Sequence, residues 1–251
     1  HYWFVKAERK AALMVKNMDF GFMKEAFLQI LAAVPVTLLM AFASACIGWI
    51  LGLLIALIRK GRIPVISQIF GIFVSFMRSV PMVILLYISY YVMPDLINQY
   101  GSNIGLSIDV SVIPPVVYAI FALLLNQAAY SSEVFRSAIS AVDEGQREAA
   151  LSIGMTEFQS YRRIIFPQAF ATALPNLSGL FVMLIKDTSL AYYVGVYEIT
   201  ATANLLSMPK LNFIEAYIMT TVIYEVLSII FNKLFALEEN HLKKFRGKLV
   251  A

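Results

Sequence analysis

Long apolar runs separated by short polar stretches constrain the fold of this chain more than any other sequence feature. They lie at about residues 27–58, 65–93, 114–138, 164–185 and 214–237. Each is at least as long as the roughly 20 residues that an α-helix needs to cross a bilayer. Because the runs are continuous and do not alternate, they are typical of membrane helices and not of β-barrel strands. We therefore predict an all-α, polytopic bundle of five transmembrane helices.

The composition supports a membrane location and excludes several kinds of site. The chain is 60% hydrophobic and 14% charged, whereas soluble domains carry about a quarter charged residues. Its net charge of +4 is spread between the apolar runs, which is not the clustered basic face of a nucleic-acid-binding protein. The single cysteine, Cys46, and the two distant histidines, His1 and His241, favour neither a disulfide framework nor a metal cluster.

The distribution of basic residues predicts the topology. The loop at 59–62, the stretch at 136–163 and the tail at 241–251 are basic, so the positive-inside rule places them in the cytoplasm. The connection at 94–112 contains Asp95 and Asp109 but no basic residue, which indicates the outside. This predicts an outer N-terminus and a cytoplasmic C-terminus. Basic residues in the first 24 positions would also prefer the cytoplasm. We give more weight to the three basic stretches named above than to this one segment.

The chain divides into three parts on this interpretation. Residues 1–25 are either an interfacial helix, since aromatic residues are followed there by basic ones, or a partly non-native segment. Residues 26–240 form the transmembrane domain, and 241–251 form a basic tail. Within the domain, Pro35 is expected to kink the first span, and Arg78 with Pro81 interrupts the second. Small residues four apart, at Gly48 and Gly52, would permit close helix approach, although ordinary glycine usage explains them equally simply.

A polar island at about 143–160 carries local helix signals. Asp143 can cap a helix that begins near Glu144, and Gly154 stands where a terminal glycine would end it. Thr156 and Gln159 then form a capping-box pattern for a second short helix. Two short helices at the membrane surface are therefore predicted.

Motifs in and around this island resemble those of a known family. The residues 145–146, 148–150, 154 and 167–169 (Gly-Gln, Glu-Ala-Ala, Gly and Pro-Gln-Ala) are similar to the EAA loop of bacterial ABC importer permeases. The stretches at 76–81, 129–136 and 186–190 resemble the polar amino-acid subgroup, which includes histidine, glutamine and cystine transporters. Ser79-Val80 departs from the Gly-Thr that is more frequent in that subgroup. The resemblance extends from about residue 37 to residue 246.

The resemblance implies a transmembrane permease subunit, not an enzyme, in the bacterial cytoplasmic membrane. The island would be the coupling loop that docks on an ATP-binding cassette ATPase subunit, where ATP and magnesium bind, and this chain would carry no cofactor. An extracytoplasmic binding protein would deliver a polar amino acid, such as glutamine or cystine, to a path between two permease subunits, identical or sister chains. The expected ATPase-coupling residues are Gly145, Arg147, Glu148, Ala149, Ala150 and Gly154.

Polar residues within the spans are candidates for the transport path or a gate. Charged groups are costly in hydrocarbon, so they should face the bundle interior, a cavity or the headgroups. Glu133 can pair with Arg136 on one helix face. Lys186 and Asp187 either contact the carboxylate and the ammonium of a substrate, respectively, or form an internal ion pair with each other. The candidates are Arg78, Asn126, Tyr130, Glu133, Lys186, Asp187, Thr188 and Ser189.

Two other classes of function compete with an ATP-driven importer. A secondary transporter would show inverted repeats, which we do not find in the sequence. An intramembrane enzyme could use Glu133 and Asp187 as a catalytic pair, but they lie on different spans and no motif joins them. The chain has no P-loop motif, so ATP hydrolysis by a P-loop is not expected here.

Overall fold

The computed structural model describes residues 18–61, 63–103, 105 and 109–250, and these residues form helices and short turns without a β-strand. Of the predicted N-terminal segment at 1–25, residues 1–17 lie outside the described residues, and residues 20–25 belong to the first described helix. The α-helices, in chain order, are α1 (Phe20–Leu31), α2 (Val34–Lys60), α3 (Ile66–Ser79), α4 (Met82–Tyr87), α5 (Met93–Asn103), α6 (Pro115–Ser140), α7 (Glu144–Ser152), α8 (Glu157–Ser160), α9 (Phe166–Asp187), α10 (Ile199–Ser207) and α11 (Phe213–Val250).

The first apolar run forms two helices. α1 begins beyond Asp19, whose carboxylate accepts a hydrogen bond of 2.9 Å from the backbone N–H of Phe22. α2 begins at Val34, with Pro35 in its first turn, where the missing N–H costs nothing. The break thus falls directly before the proline that was expected to kink this span.

The second apolar run is interrupted where Arg78 and Pro81 predicted, and the two parts do not form one straight helix. α3 and the helical segment from Met82 to Gly101 meet at an angle of 110°. Val80 is extended, with ψ 131°, because a residue that precedes proline is sterically disfavoured in the α region. The segment beyond the bend continues through a π-helical stretch at Ile88–Val92 into α5. The predicted connection at 94–112 is therefore helical up to Asn103.

Close packing between α2 and α6 forms the centre of the bundle. A Cβ atom on Gly48 would lie 2.8 Å from the carbonyl oxygen of Leu124 and from the Cβ of Gln127. A Cβ atom on Gly52 would lie 2.9 Å from the carbonyl oxygen of Ala128. The two glycines therefore bring α6 against α2 within the same chain.

The last two apolar runs correspond to α9 and α11. A π-helical turn at Tyr161–Ile165 leads into α9, which continues through Pro175. A 3₁₀ helix at Thr188–Val194 follows, and left-handed Gly195, with φ 80°, ends it. The stretch between α9 and α11 therefore contains this 3₁₀ helix and α10.

Three segments of the described chain are long and apolar enough to cross a membrane: Phe20–Lys60, Glu157–Val194 and Phe213–Leu242. A fourth is added if the bent pair that ends at Gly101 is one crossing. α6 has 26 residues, but Asn126 and Gln127 lower its hydropathy. Both side chains are buried in the bundle. The chain is a polytopic membrane protein, and the count of five spans stays a prediction.

Candidate functional sites: the coupling loop and the membrane path

The first short helix of the coupling loop, α7, has both of its predicted ends. The carboxylate of Asp143 accepts a hydrogen bond of 2.7 Å from the N–H of Gly145. At the other end, Gly154 is left-handed with φ 85° and donates to the carbonyl of Leu151 at 3.0 Å, while Met155 donates to Ala150 at 3.1 Å. This pair of bonds is a Schellman motif. The predicted cap and terminal glycine are confirmed.

The second short helix, α8, begins with the predicted capping box. The N–H of Thr156 donates to the side-chain oxygen of Gln159 at 2.9 Å, and the N–H of Gln159 donates to the Thr156 hydroxyl at 3.3 Å. Both bonds satisfy backbone donors that the first turn of a helix leaves unpaired. The coupling loop is therefore two capped helices joined by a short turn.

Arg147 joins the two short helices. Its Nε lies 3.1 Å from Oε2 of Glu157, and its Nη2 lies 2.5 Å from Oε1 of the same carboxylate. In a third contact, Nη1 of Arg147 lies 3.3 Å from Oε1 of Glu144. The hydrogen bonds and charge of Glu157 raise the pKa of Arg147 above its usual value. A bidentate pair restricts the relative orientation of its partners, so Arg147 holds the angle between α7 and α8.

The exposed face of the coupling loop differs in part from the predicted one. Gly145, Glu148 and Ala149 are exposed, as a docking surface requires. Ala150 is 2% exposed and faces the interior of its own chain, so its small side chain serves internal packing. Sequence reasoning missed two apolar side chains, Ile153 at 75% and Phe158 at 71% exposure.

The C-terminal part of α6 carries an ionic cluster. Arg136 binds one oxygen of Glu133 through Nε at 2.9 Å and Nη2 at 2.6 Å, which confirms the predicted pair. The other oxygen lies 2.5 Å from Nη1 of Arg59, a residue that sequence reasoning did not connect to this site. Glu133 therefore ties the end of α2 to α6.

We expect Glu133→Gln to lower the thermal stability of the purified protein by several degrees, because two guanidinium groups would lose their shared counter-ion. Differential scanning fluorimetry in detergent measures the effect. Glu238→Gln is the matched control, since Glu238 is exposed and forms no ion pair within the described chain. Equal melting temperatures for the two variants would contradict a structural role for the cluster.

The C-terminal end of α9 does not contain the alternative ion pair among the described residues. Among the described residues, Lys186 and Asp187 pair neither with each other nor with another charged side chain, so the internal-pair interpretation was wrong. Lys186 is exposed and Asp187 is half-buried. Thr188 is buried and donates to the carbonyl of Ile185 at 2.7 Å, and Ser189 is half-buried.

The middle of α6 contacts the end of α3. The side-chain amide of Asn126 donates to the carbonyl of Met77 at 3.2 Å. The Cζ atom of Arg78 lies 5.3 Å from the centroid of the Tyr130 ring. The predicted path residues thus occupy three places. Arg78, Asn126 and Tyr130 lie beside the middle of α6, Glu133 lies one turn further along α6, and residues 186–189 lie at the C-terminal end of α9.

Comparison with known proteins identifies the family. The profile of the family described as "Binding-protein-dependent transport system inner membrane component" matches residues 48–244. The chain is 40% identical over 230 residues to the probable amino-acid permease protein YxeN of Bacillus subtilis, covering 92% of this chain and 98% of that protein. The chain belongs to this family of transport permeases. Its predicted membership of the amino-acid ABC importer permeases is confirmed.

Two further comparisons extend this result to the permease as a whole. It is 33% identical over 237 residues to the L-cystine transport system permease protein TcyL of Bacillus subtilis, covering 94% of this chain and 97% of that protein. The crystal structure of an amino acid ABC transporter with histidines matches with a TM-score of 0.75 and 29% identity, covering 90% of this chain and 99% of that chain. Matches of this length support the whole fold and not an isolated motif.

The family assigns transport and ATP hydrolysis to different subunits. The permease is a membrane component of an ABC importer for amino acids and not an enzyme, since the ATPase is a separate subunit. It works with ATPase and substrate-binding protein partners. Its apolar helices agree with a multi-pass membrane protein.

The permease contains one buried carboxylate that sequence reasoning missed. Glu198 is fully buried and caps α10, accepting from the N–H groups of Thr200 at 2.9 Å and Ala201 at 2.8 Å. The hydroxyl of Tyr224 donates to it at 2.9 Å, which ties α10 to α11. Burial raises the pKa of Glu198 to about 7. The sequence signal that could have identified this cap was the position of the acidic Glu198 directly before a helical stretch.

We expect the stability of the permease to fall as pH rises from about 5 to 8. The pKa of Glu198 is higher in the folded than in the unfolded state, so the folded state binds this proton more tightly and is destabilised when the proton is lost. This loss begins above the ordinary glutamate pKa and is complete once the pH exceeds about 7. Melting temperatures across this range test it. Glu198→Gln should flatten that part of the profile, and an unchanged slope would contradict the assignment.

Proposed function

We propose that ATPase subunits bind the coupling loop of this permease and drive a polar amino acid through a path between two permease subunits. The geometry of the coupling loop carries this proposal. Two capped helices held by Arg147 form a preorganised unit, and Ile153 and Phe158 expose apolar surface beside Ala149. Exposed apolar side chains within a polar loop are typical of a protein contact.

The mechanism is alternating access. ATP binds with magnesium in the partner ATPases, and this chain carries no cofactor of its own. Closure of the ATPases displaces the coupling loop, which is directly connected to α6 on one side and to α9 on the other. Lys60, at the end of α2, lies 5.8 Å from the ring centroid of Tyr161 and links a third helix to the motion.

The N-terminus lies outside and the C-terminus in the cytoplasm. This orientation places the coupling loop on the side where ATP is available. The basic loop at 59–62 and the basic tail at 241–251 are then also cytoplasmic, in agreement with the positive-inside rule.

The transport path requires a second permease subunit, either identical or a sister chain. One face of α3 supports this, since Ile69, Ile72 and Phe76 are exposed together with Gln68 and Ser75. A mixed polar and apolar face suits a helix that borders both another subunit and a hydrated path.

Glutamine or cystine is the proposed substrate. The spans carry no acidic cluster that would favour arginine or lysine, and TcyL, a similar permease, is named for L-cystine transport. The test is thermal stabilisation of the purified complex with its binding protein across a panel of amino acids. Stabilisation by arginine or lysine alone would contradict this substrate class.

Co-purification and uptake test the function directly. The tagged permease should retain an ATPase subunit in mild detergent, and vesicles should take up the amino acid only when they contain ATP. Uptake that persists after ATP depletion, without an associated ATPase, would favour a gradient-driven transporter instead.

A further inference from the structure

Arg78 lies where the second apolar run is broken. It is in the last turn of α3, beside the 110° bend that leads to α4. Two neutral residues of α6, one turn apart, hold this end of α3. Asn126 binds the carbonyl of Met77 at 3.2 Å, and the ring of Tyr130 faces the Arg78 guanidinium at 5.3 Å.

These contacts place the guanidinium of Arg78 beside the middle of α6. α6 has 26 residues, and Asn126 and Tyr130 lie on either side of its middle. At 1.5 Å per residue the helix is about 39 Å long, which exceeds the roughly 30 Å hydrocarbon core, so α6 is long enough to be the span that the sequence predicts. In that span Arg78 lies away from both ends of the helix.

The charge of Arg78 is not neutralised within the described chain. Arg59, Arg136 and Arg147 each bind a carboxylate, whereas no described carboxylate pairs with Arg78. Its side chain is exposed on the surface of the single chain. A guanidinium at this depth is stable only in a hydrated path or beside an anion. Stacking on Tyr130 engages the face of the guanidinium and leaves its N–H edge free to donate.

We propose that Arg78 binds the α-carboxylate of the amino acid during its passage through the permease. The planar guanidinium matches a carboxylate with two parallel hydrogen bonds. Asn126 and Tyr130 are positioning residues, since they orient Arg78 without neutralising it. This inference rests on the proposed amino-acid transport and assigns one group of the substrate to one side chain.

The test compares substrates that differ only at the α-carboxylate. Binding of L-glutamine and of its α-carboxamide is measured on the permease–ATPase complex in nanodiscs, without binding protein. Arg78→Gln should weaken L-glutamine binding about tenfold or more, with partial recovery in Arg78→Lys. In wild type the amide should bind more weakly than L-glutamine by the same factor, and in Arg78→Gln this difference should vanish. Arg163→Gln, an exposed arginine of the π-turn, is the control.

Uptake with saturating binding protein gives an independent readout. Arg78→Gln should reduce L-glutamine uptake about tenfold, whereas the control Arg163→Gln should keep the wild-type uptake. Wild-type uptake by Arg78→Gln, or continued discrimination between L-glutamine and its amide by that variant, would overturn the assignment. The same measurements are made with L-cystine. If the wild-type complex has no ATPase and takes up neither amino acid, the proposed function itself fails.

Discussion

Gly52→Leu should abolish accumulation of folded permease, because the new side chain would overlap backbone atoms of α6. Its Cβ would lie 2.9 Å from the carbonyl oxygen of Ala128 and 3.0 Å from the N–H of Ser132, and would overlap the hydroxyl of Ser131. Backbone atoms cannot rotate away, so α2 and α6 must separate. The cost should reach at least about 3 kcal/mol, the upper end of ordinary overpacking. Fluorescence-detected size-exclusion chromatography measures the monodisperse fraction.

Gly179→Leu is the matched control for this experiment. Gly179 lies within α9, and nothing approaches within 4 Å of a Cβ built there. Its folded yield should stay near that of wild type. A smaller change, Gly52→Ala, should also lower the folded yield. Adding Ser131→Ala to it should restore the yield only in part, because the close contact with the Ala128 carbonyl remains. Equal yields for the Gly52 and Gly179 variants would contradict the close α2–α6 contact.

Replacing both Ile153 and Phe158 with aspartate should separate the permease from its ATPase while leaving the spans folded. These side chains are the exposed apolar surface of the coupling loop, and two charges there would have to be desolvated on docking. We expect the amount of co-purified ATPase, and ATP-dependent uptake, to fall about tenfold or more, because two unpaired buried charges cost several kcal/mol.

Leu211→Asp is the control for the loss of ATPase. Leu211 is also a highly exposed apolar residue, but it lies between α10 and α11, away from the coupling loop. Its variant should retain the ATPase. Full retention of the ATPase by the double variant would show that docking uses another surface. The melting temperature of each variant separates loss of docking from loss of folding.

Several sequence-based expectations concern residues close together in the chain, and these were confirmed. Asp143 caps α7, Gly154 ends it, and Thr156 with Gln159 opens α8. Such interactions depend on backbone groups within three or four residues, so sequence spacing alone is sufficient to predict them. The long apolar runs were equally informative, because bilayer thickness sets the length of a membrane helix.

The errors have physical causes. The segment from residue 94 was expected to connect two spans, yet α5 is helical up to Asn103, since the intrinsic helix propensity of a residue is weak compared with the effect of its surroundings. Pro81 indicated an interruption, but no local rule predicts an angle of 110°. Ala150 was expected to face a partner, and the packing of α7 directs it inward.

By itself, the sequence determined the helical membrane class, the two short capped helices at 143–160 and the family resemblance, because each depends on local spacing or composition. Only the tertiary structure decided which distant side chains meet. Arg59 reaches Glu133 across 74 positions, Gly52 packs against Ala128, and Arg78 stacks on Tyr130. Such contacts depend on how helices approach and rotate, which is set by packing over the whole bundle. The same packing leaves Arg78 without a carboxylate partner in the described chain, and so makes it available to a substrate.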